Sequence, residues 1–387
     1  MLRDILAPLS PEEFFREFWS REFLHIPGPA GKFSHYFPWE ALNEALEQHR
    51  FDPRRLLLVK SGLKIDPGRY LNGNRVDAQR IINELSSGAT LIFNGCDEVQ
   101  PALRDLCVHL ERLLHHRVVV NLYAGWRRDS GFNVHWDDHN TIILQVAGRK
   151  QWKVWKPTRK YPLRDDVPEV APARSEGPVW DHTLEPGGLL SIPRGWWHVA
   201  HPPDEPSLHL TVSLSSPTGI DLLRWLAEQM KSSETARMDL PVLAGRSERT
   251  NWTESLRADL LALLDGNPID RYLAELDSKT VARPRISLPA DVNLHRDPLR
   301  RTTLLELAAP FPLHFSIQHG KTVCSASGMS WQMNAEVAER LRAFNDGCPH
   351  AIGELFPVQD VRDTGLLGVM VMKGVLRRVS DSPNGNS

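Results

Sequence analysis

Three side chains near the middle of the chain have the types and spacing of a metal site. His135 and Asp137 are two positions apart, and side chains at that spacing on a β-strand point to the same face. His198 follows 63 residues after His135, at the end of the segment EPGGLLSIPRGWWH. Two imidazoles and one carboxylate on one face of an ion leave positions open for a co-substrate and O2, the arrangement typical of non-haem iron(II) oxygenases.

The choice of the third ligand depends on context, because His139, His201 and His209 compete for it. A His-x-Asp pair alone is weak evidence, since a chain of 387 residues with 16 histidines holds about one by chance. His135 and His139 would share a face only on a helix, against the surrounding β pattern, and His201 lies in a Pro-rich turn. We therefore predict His198 as the third ligand, and His139 as a residue beside the site or on the surface.

The elements that must position these ligands are short strands. From Thr90 to Leu214 the hydrophobic pattern has period two, in runs such as TLIFNG, NTIILQVAG, KQWKVW and LHLTVSL separated by Gly, Pro and Asp. One helix is predicted within this region, from Pro101 to Leu114. Evenly punctuated strands with so little helix between them indicate a barrel or a double-sheet jelly roll.

Helical patterns flank the strand region. Ser10 is predicted to cap a helix that continues through Phe14, Phe15, Phe18 and Trp19, and Phe23–Pro27 is predicted to be an edge strand. Beyond Pro217, helices are predicted over Asp221–Met230, over Asn251–Leu264 with Asn251 as N-cap, and after Asn267-Pro268. From Leu304 the pattern becomes α+β, with a hairpin through Gly320 and a helix over Ala335–Phe344.

Composition and charge narrow the class of protein. The hydrophobic content of 41% suits a globular core, and no apolar run of 18 residues predicts a membrane span. A net charge of −2, from 46 basic and 48 acidic residues, gives no global field to attract a polyanion. The four cysteines are scattered without a CxxC pair, which favours reduced thiols. We therefore predict a cytoplasmic protein without direct contact to nucleic acid or membrane.

The segment from Gly88 to Pro217 resembles the JmjC domain of the ribosomal oxygenases, a cupin-fold group of 2-oxoglutarate-dependent protein hydroxylases. The resemblance rests on five segments: GATLIFNG at 88–95, VNLYAG at 120–125, HWDDH at 135–139, LQVAGRKQWKVW at 144–155 and LEPGGLLSIPRGWWH at 184–198. It implies Fe(II) as the metal, 2-oxoglutarate as co-substrate and O2 as oxidant, with His135, Asp137 and His198 as catalytic ligands.

The same resemblance assigns the co-substrate contacts. The family's basic residue fifteen positions after the first metal histidine corresponds to Lys150, which would bind the distal carboxylate of 2-oxoglutarate. A buried dianion needs such a cation to offset its desolvation. The family's Asn and Tyr correspond to Asn121 and Tyr123, and the late strand offers Thr211 or Ser213 as a further contact, between which the sequence does not choose.

The resemblance also implies an α+β fold class with a double-stranded β-helix core and a domain order. We expect a JmjC/cupin catalytic domain over 1–217 (barrel core about 90–217), a helical dimerisation segment over 218–298, a winged-helix-like domain over 299–380, and a disordered tail over 381–387. The chain would form a homodimer and hydroxylate a protein side chain, an Arg or His of a ribosomal protein. Two alternatives stay open: a hydroxylase of a free amino acid or small peptide natural product, and a non-catalytic metal-binding cupin/JmjC scaffold.

Overall fold

The fold is described from a computed structural model, which covers residues 2–127, 132–166, 177–281, 283, 288, 292, 299–356 and 361–379. The chain divides into two compact units, Met1–Ser216 and Pro217–Ser387. The tail predicted over 381–387 lies outside the described residues. Among the residues described, no helix is both long and apolar enough to cross a bilayer. The cytoplasmic location stays a prediction.

Nineteen strands and twelve α-helices are described in these ranges. The strands β1–β13 of the first unit are Leu24–Ile26, Leu56–Lys60, Leu63–Lys64, Leu71–Asn72, Arg75–Val76, Thr90–Phe93, Val119–Gly125, Asn140–Ala147, Lys150–Trp155, Trp180–Leu184, Leu189–Ile192, Trp197–His201 and Ser207–Leu214. The strands β14–β19 of the second unit are Leu304–Leu307, His314–Gln318, Lys321–Ala326, Met329–Met333, His350–Ala351 and Leu376–Arg378. The helices α1–α12 are Leu2–Leu6, Pro11–Glu13, Trp39–Gln48, Ala78–Ser86, Pro101–Leu114, Gly219–Gln229, Glu234–Arg237, Arg246–Leu264, Pro268–Lys279, Ala335–Leu341, Ile352–Leu355 and Val361–Met372.

Two antiparallel sheets form the core of the first unit. The larger sheet has eight strands in the order β1-β11-β8-β13-β7-β6-β2-β3, and the smaller has three in the order β10-β9-β12. β8 is buried along nearly its whole length, as expected for a strand covered on both faces. On β9, burial alternates so that Lys150, Trp152 and Val154 face inward. The double-sheet jelly-roll architecture predicted from the strand pattern is present.

The N-terminal region contributes more to the sheet than its sequence indicates. β1 is an edge strand paired with β11, as predicted, and Ser10 Oγ caps its helix by accepting a hydrogen bond from the Glu13 amide at 3.1 Å. The helix itself is short: α2 gives way to a π-helical turn over Phe14–Phe18. β2 and β3 extend the larger sheet beyond β6. The sheet therefore includes strands before residue 90.

A tight turn between β8 and β9 fixes where β9 begins. Gly148 has φ +60°, and a Cβ placed there would lie 1.8 Å from the Pro206 carbonyl oxygen, so only glycine fits. The buried Gln145 amide donates hydrogen bonds at 3.0 Å to the Gly148 carbonyl and to Ser207 Oγ. These hydrogen bonds and this close contact fix the turn against the start of β13. Lys150, two residues after Gly148, is therefore held at the start of β9.

The second unit contains the helices α6–α9 followed by small sheets. α6 starts at Gly219 behind a capping box between Thr218 and Asp221, two residues before the predicted start. The prediction that Asn251 caps a helix is wrong: α8 begins at Arg246, and Asn251 lies inside it. The first turn of α8, residues 246–250, is polar and exposed, so it has no apolar periodicity from which a helix could be predicted. α9 begins after Asn267 as predicted.

The end of the second unit is α+β, as its sequence indicates. The predicted hairpin through Gly320 is β15–β16, and β17 adds a third strand to it. A second sheet has the order β18-β14-β19. The predicted helix from Ala335 ends at Leu341 and continues as a 3-10 turn, Arg342–Asp346. The winged-helix-like assignment and the dimerisation role of α6–α9 stay predictions.

Candidate metal and co-substrate site

The three predicted metal ligands converge. One ligand atom from each of His135, Asp137 and His198 lies within 4.8 Å of the others, and no second such group occurs among the described residues. The Asp137 carboxylate is 4.0 Å from His135 Nε2 and 3.6 Å from His198 Nε2. The two imidazole centroids are 4.4 Å apart. These distances suit three donors around one small cation.

Backbone carbonyls orient both histidines. His135 Nδ1 donates to the Asn133 carbonyl at 2.8 Å, and His198 Nδ1 donates to the Trp196 carbonyl at 3.1 Å. A proton held on Nδ1 leaves the Nε2 lone pair available to a metal, and this is the usual way in which proteins orient a ligand histidine. Burial lowers the pKa of His198 to about 4, so its ring is neutral at pH 7 and able to bind a metal.

The expectation that His135-Trp136-Asp137 forms a strand is corrected by the structure. His135 belongs to no named strand but to a single antiparallel bridge with His198, with reciprocal backbone hydrogen bonds of 3.1 and 2.8 Å. The bridge still gives the local geometry of a strand. His135 and Asp137 face the cavity, whereas Trp136 between them is buried and does not line the cavity.

Lys150 lies in the same cavity, which has a volume of about 290 Å³. Its side chain is buried, and Nζ is about 6 Å from the ring centroids of Tyr123 and Trp152. No carboxylate of the described residues forms an ion pair with it, and burial lowers its pKa to about 7. A buried cation without a counter-charge is costly, and an anionic ligand would offset that cost.

The other predicted contact residues line the cavity from the larger sheet. On β7, Asn121 and Tyr123 face inward, opposite Thr211 and His209 of β13. Asn121 also accepts a hydrogen bond of 3.0 Å from the Gly95 amide. Burial and the charge of Asp137 raise the pKa of Tyr123, which keeps the phenol protonated. Thr211 and Ser213 both line the cavity, and along β13 Thr211 is the nearer of the two to His209.

The three competing histidines have different positions. His139 lines the cavity, half-buried, with Nδ1 2.9 Å from Asp138 Oδ1. His201 ends β12 and is not among the cavity residues. His209 is buried in the cavity, with Nδ1 3.5 Å from Lys150 Nζ. None of the three joins the ligand cluster.

Several cavity residues had no signal in the sequence. Thr90, Phe132, Thr141, Ile143 and Ala200 all contribute to the wall. Thr90, Thr141, Ile143 and Ala200 are ordinary strand residues that the strand register brings to the cavity. Phe132 is a loop residue whose ring packs against that of His135, with centroids 5.7 Å apart. The contact between His209 and Lys150 was likewise missed, because it joins two strands that are 59 residues apart in the chain.

Comparison with known proteins places this cavity in a recognised domain. A family profile described as "JmjC domain" matches residues 98–222. The chain therefore contains a JmjC domain on a cupin fold with mixed helix and sheet.

Curated proteins with similar sequences show which JmjC proteins this chain resembles. The chain is 30% identical over 226 residues to the "bifunctional lysine-specific demethylase and histidyl-hydroxylase NO66" of Drosophila pseudoobscura pseudoobscura, covering 55% of this chain and 22% of that protein. It is 29% identical over 226 residues to "ribosomal oxygenase 1" of Rattus norvegicus, covering 54% of this chain and 36% of that protein. The chain thus spans well under half the length of these relatives. The predicted resemblance to JmjC ribosomal oxygenases is confirmed.

Solved structures agree on the fold. The ribosomal oxygenase YcfD of Escherichia coli aligns with a TM-score of 0.57 at 16% identity, over 96% of this chain and 98% of that one. Another structure of YcfD, in complex with cobalt and 2-oxoglutarate, aligns with the same TM-score and coverage. At this identity the likeness supports the fold, and the chemistry must be argued from the residues of the cavity.

Proposed function

We propose that this chain is an Fe(II)- and 2-oxoglutarate-dependent oxygenase that hydroxylates a protein side chain. The observation that carries the proposal is one cavity that contains a His-Asp-His cluster and, beside it, a buried lysine with no counter-charge among the described residues. In such an enzyme the cluster binds the metal, and the lysine binds the distal carboxylate of the co-substrate. A metal-binding scaffold without oxygenase activity would have no need of the buried lysine.

The residues fit both groups. His135, Asp137 and His198 would hold the iron as two neutral imidazoles and a carboxylate, the donor set that non-haem iron(II) oxygenases use. Lys150 would bind the co-substrate, with Asn121, Tyr123 and either Thr211 or Ser213 along the wall. When bound, iron and 2-oxoglutarate supply the oxidising power for C–H hydroxylation. The residues of this chain would hold and orient both groups within the cavity.

The wall of the cavity favours a neutral substrate side chain. Among its described residues the one carboxylate is Asp137, which the metal would use, and Lys150 is a cation. The guanidinium of a substrate arginine would be buried in this cavity with no acidic partner among the described lining residues. Burying a neutral imidazole costs less desolvation free energy than burying that charged group. We therefore favour a histidine of a ribosomal protein over an arginine.

The experiment is direct. Purified chain is incubated with Fe(II), 2-oxoglutarate, O2 and a ribosomal protein digest, and succinate formation and the gain of one oxygen atom on a His or Arg peptide are measured. Asp137→Ala is the matched control. Succinate without any modified peptide would favour the small-substrate alternative, and no succinate in any condition would refute an oxygenase.

We also propose that the chain is a homodimer that assembles through α6–α9. This segment exposes large apolar side chains, with Leu243 98% exposed and Leu223, Leu240, Val242 and Ile269 more than half exposed. Large apolar side chains are costly to expose to water, and a concentration of them in one segment favours an interaction surface there. Sedimentation velocity tests the proposal: Leu243→Asp should give monomer, while Leu63→Asp, at an exposed leucine of the first unit, should leave the dimer intact. A monomeric wild type would refute it.

A further inference from the structure

One histidine of the cavity is neither a metal ligand nor part of the predicted co-substrate set. His209 lies on β13, 2% exposed, and its ring stacks on that of Tyr123 with centroids 4.9 Å apart and planes at 4°. The ring of Trp152 meets it edge-on at 5.5 Å. The imidazole is therefore held in one orientation by two aromatic rings.

That orientation presents Nδ1 to Lys150. The Nζ of Lys150 is 3.5 Å from His209 Nδ1, and this is the one hydrogen-bond contact of Nζ among the described residues. The other neighbours of the ammonium, Tyr123 and Trp152, present ring faces at 6.0 and 5.9 Å. A lysine side chain has four flexible carbons and no directional preference of its own, so this contact determines where its charge points.

We propose that His209 is a positioning residue, whose Nδ1 accepts a hydrogen bond from the Lys150 ammonium and aims that ammonium at the distal carboxylate of 2-oxoglutarate. This inference rests on the proposed function, because it assigns a role toward the co-substrate of that enzyme.

A neutral acceptor suits this task better than an acid. A carboxylate at residue 209 would pair with Lys150 and compete with the incoming co-substrate for its charge. A neutral imidazole orients the ammonium and leaves its charge available to the ligand. Burial, followed by the charge of Lys150, lowers the pKa of His209 well below its ordinary value, which keeps the ring neutral.

Two substitutions separate the acceptor from the stacked ring. His209→Phe keeps an aromatic ring against Tyr123 but removes the acceptor. His209→Asn removes the ring but places an amide oxygen near the position of Nδ1. Calorimetry under nitrogen, with Mn(II) in place of iron, measures the dissociation constants of 2-oxoglutarate and of pyruvate, which has the keto acid but no distal carboxylate.

The expected pattern is selective. His209→Phe raises the dissociation constant for 2-oxoglutarate about tenfold, the usual effect of losing a hydrogen bond to a charged group, and leaves that for pyruvate unchanged. His209→Asn stays within about threefold of wild type for both ligands. A His209→Phe variant with wild-type affinity for 2-oxoglutarate, or two variants that weaken both ligands equally, would overturn the inference and assign a packing role to the ring. If the wild type binds Mn(II) but no 2-oxoglutarate, the proposed function itself fails.

Discussion

The protonation state of Lys150 should make co-substrate affinity fall as the pH rises. Burial without a counter-charge lowers the pKa of Lys150 to about 7, so the free protein carries the charge below pH 7 and loses it above. The ligand needs the charged form, and the apparent dissociation constant equals the intrinsic one divided by the charged fraction. From pH 7.0 to 8.5 that fraction falls from about one half to about 3%, so the dissociation constant for 2-oxoglutarate rises about fifteenfold.

Calorimetry with Mn(II) under nitrogen at pH 7.0, 7.5, 8.0 and 8.5 measures this slope, and binding should be accompanied by proton uptake that grows over the same range. Lys150→Arg is the matched variant, because a guanidinium stays charged throughout. Whatever the absolute affinity of this variant, its pH profile should be flat. A flat wild-type profile, or an Arg variant that follows the wild type, would refute the assignment of the buried charge to co-substrate binding.

Three further predictions concern the metal, the turn and the wall. Mn(II) at a hundredfold excess over its dissociation constant should stabilise the wild type by about 2.7 kcal/mol in thermal unfolding, and Asp137→Ala should lose this gain. Gly148→Ala should destabilise the fold by at least about 2 kcal/mol in urea titrations, while Gly31→Ala, with open space around it, should cost little. Thr211 lies one inward position from His209 on β13 and Ser213 lies two, so Thr211→Ala should weaken 2-oxoglutarate binding by about fivefold in calorimetry and Ser213→Ala by less than about twofold. Equal losses at both positions would contradict this placement.

The features that the sequence predicted well are local or repeated. Alternation of extended backbone is enough to place His135 and Asp137 on one face, even though they lie at a single bridge and not in a strand. The same alternation sends Lys150 and Trp152 inward on β9. Punctuation by Gly and Pro is enough to divide the region from Thr90 to Leu214 into strands. Each of these inferences needs only residues within a few positions of one another.

The features that it missed depend on register between distant strands. His209 meets Lys150 because β13 and β9 approach across the cavity, and no pattern within either strand encodes that distance. The start of α8 was missed for another reason. Asn251 is a good N-cap by type, but the residues before it also tolerate helix, so the local preference at Asn251 was overridden. β3 has only two residues, too few for a period to be read, and β2 begins with the apolar run LLLV, which does not alternate.

The bridge between His135 and His198 affects how the metal is gained and lost. In an unfolded chain these residues are 63 positions apart, and closing that loop costs entropy. Because two backbone hydrogen bonds join these residues, the loop is already closed when the protein folds, and metal binding does not have to close it. We therefore expect a metal ion bound by these residues to be removed by a chelator and replaced without unfolding of the protein. Exchange among similar divalent ions should then be easy, so the metal found in the cell would reflect supply as much as affinity.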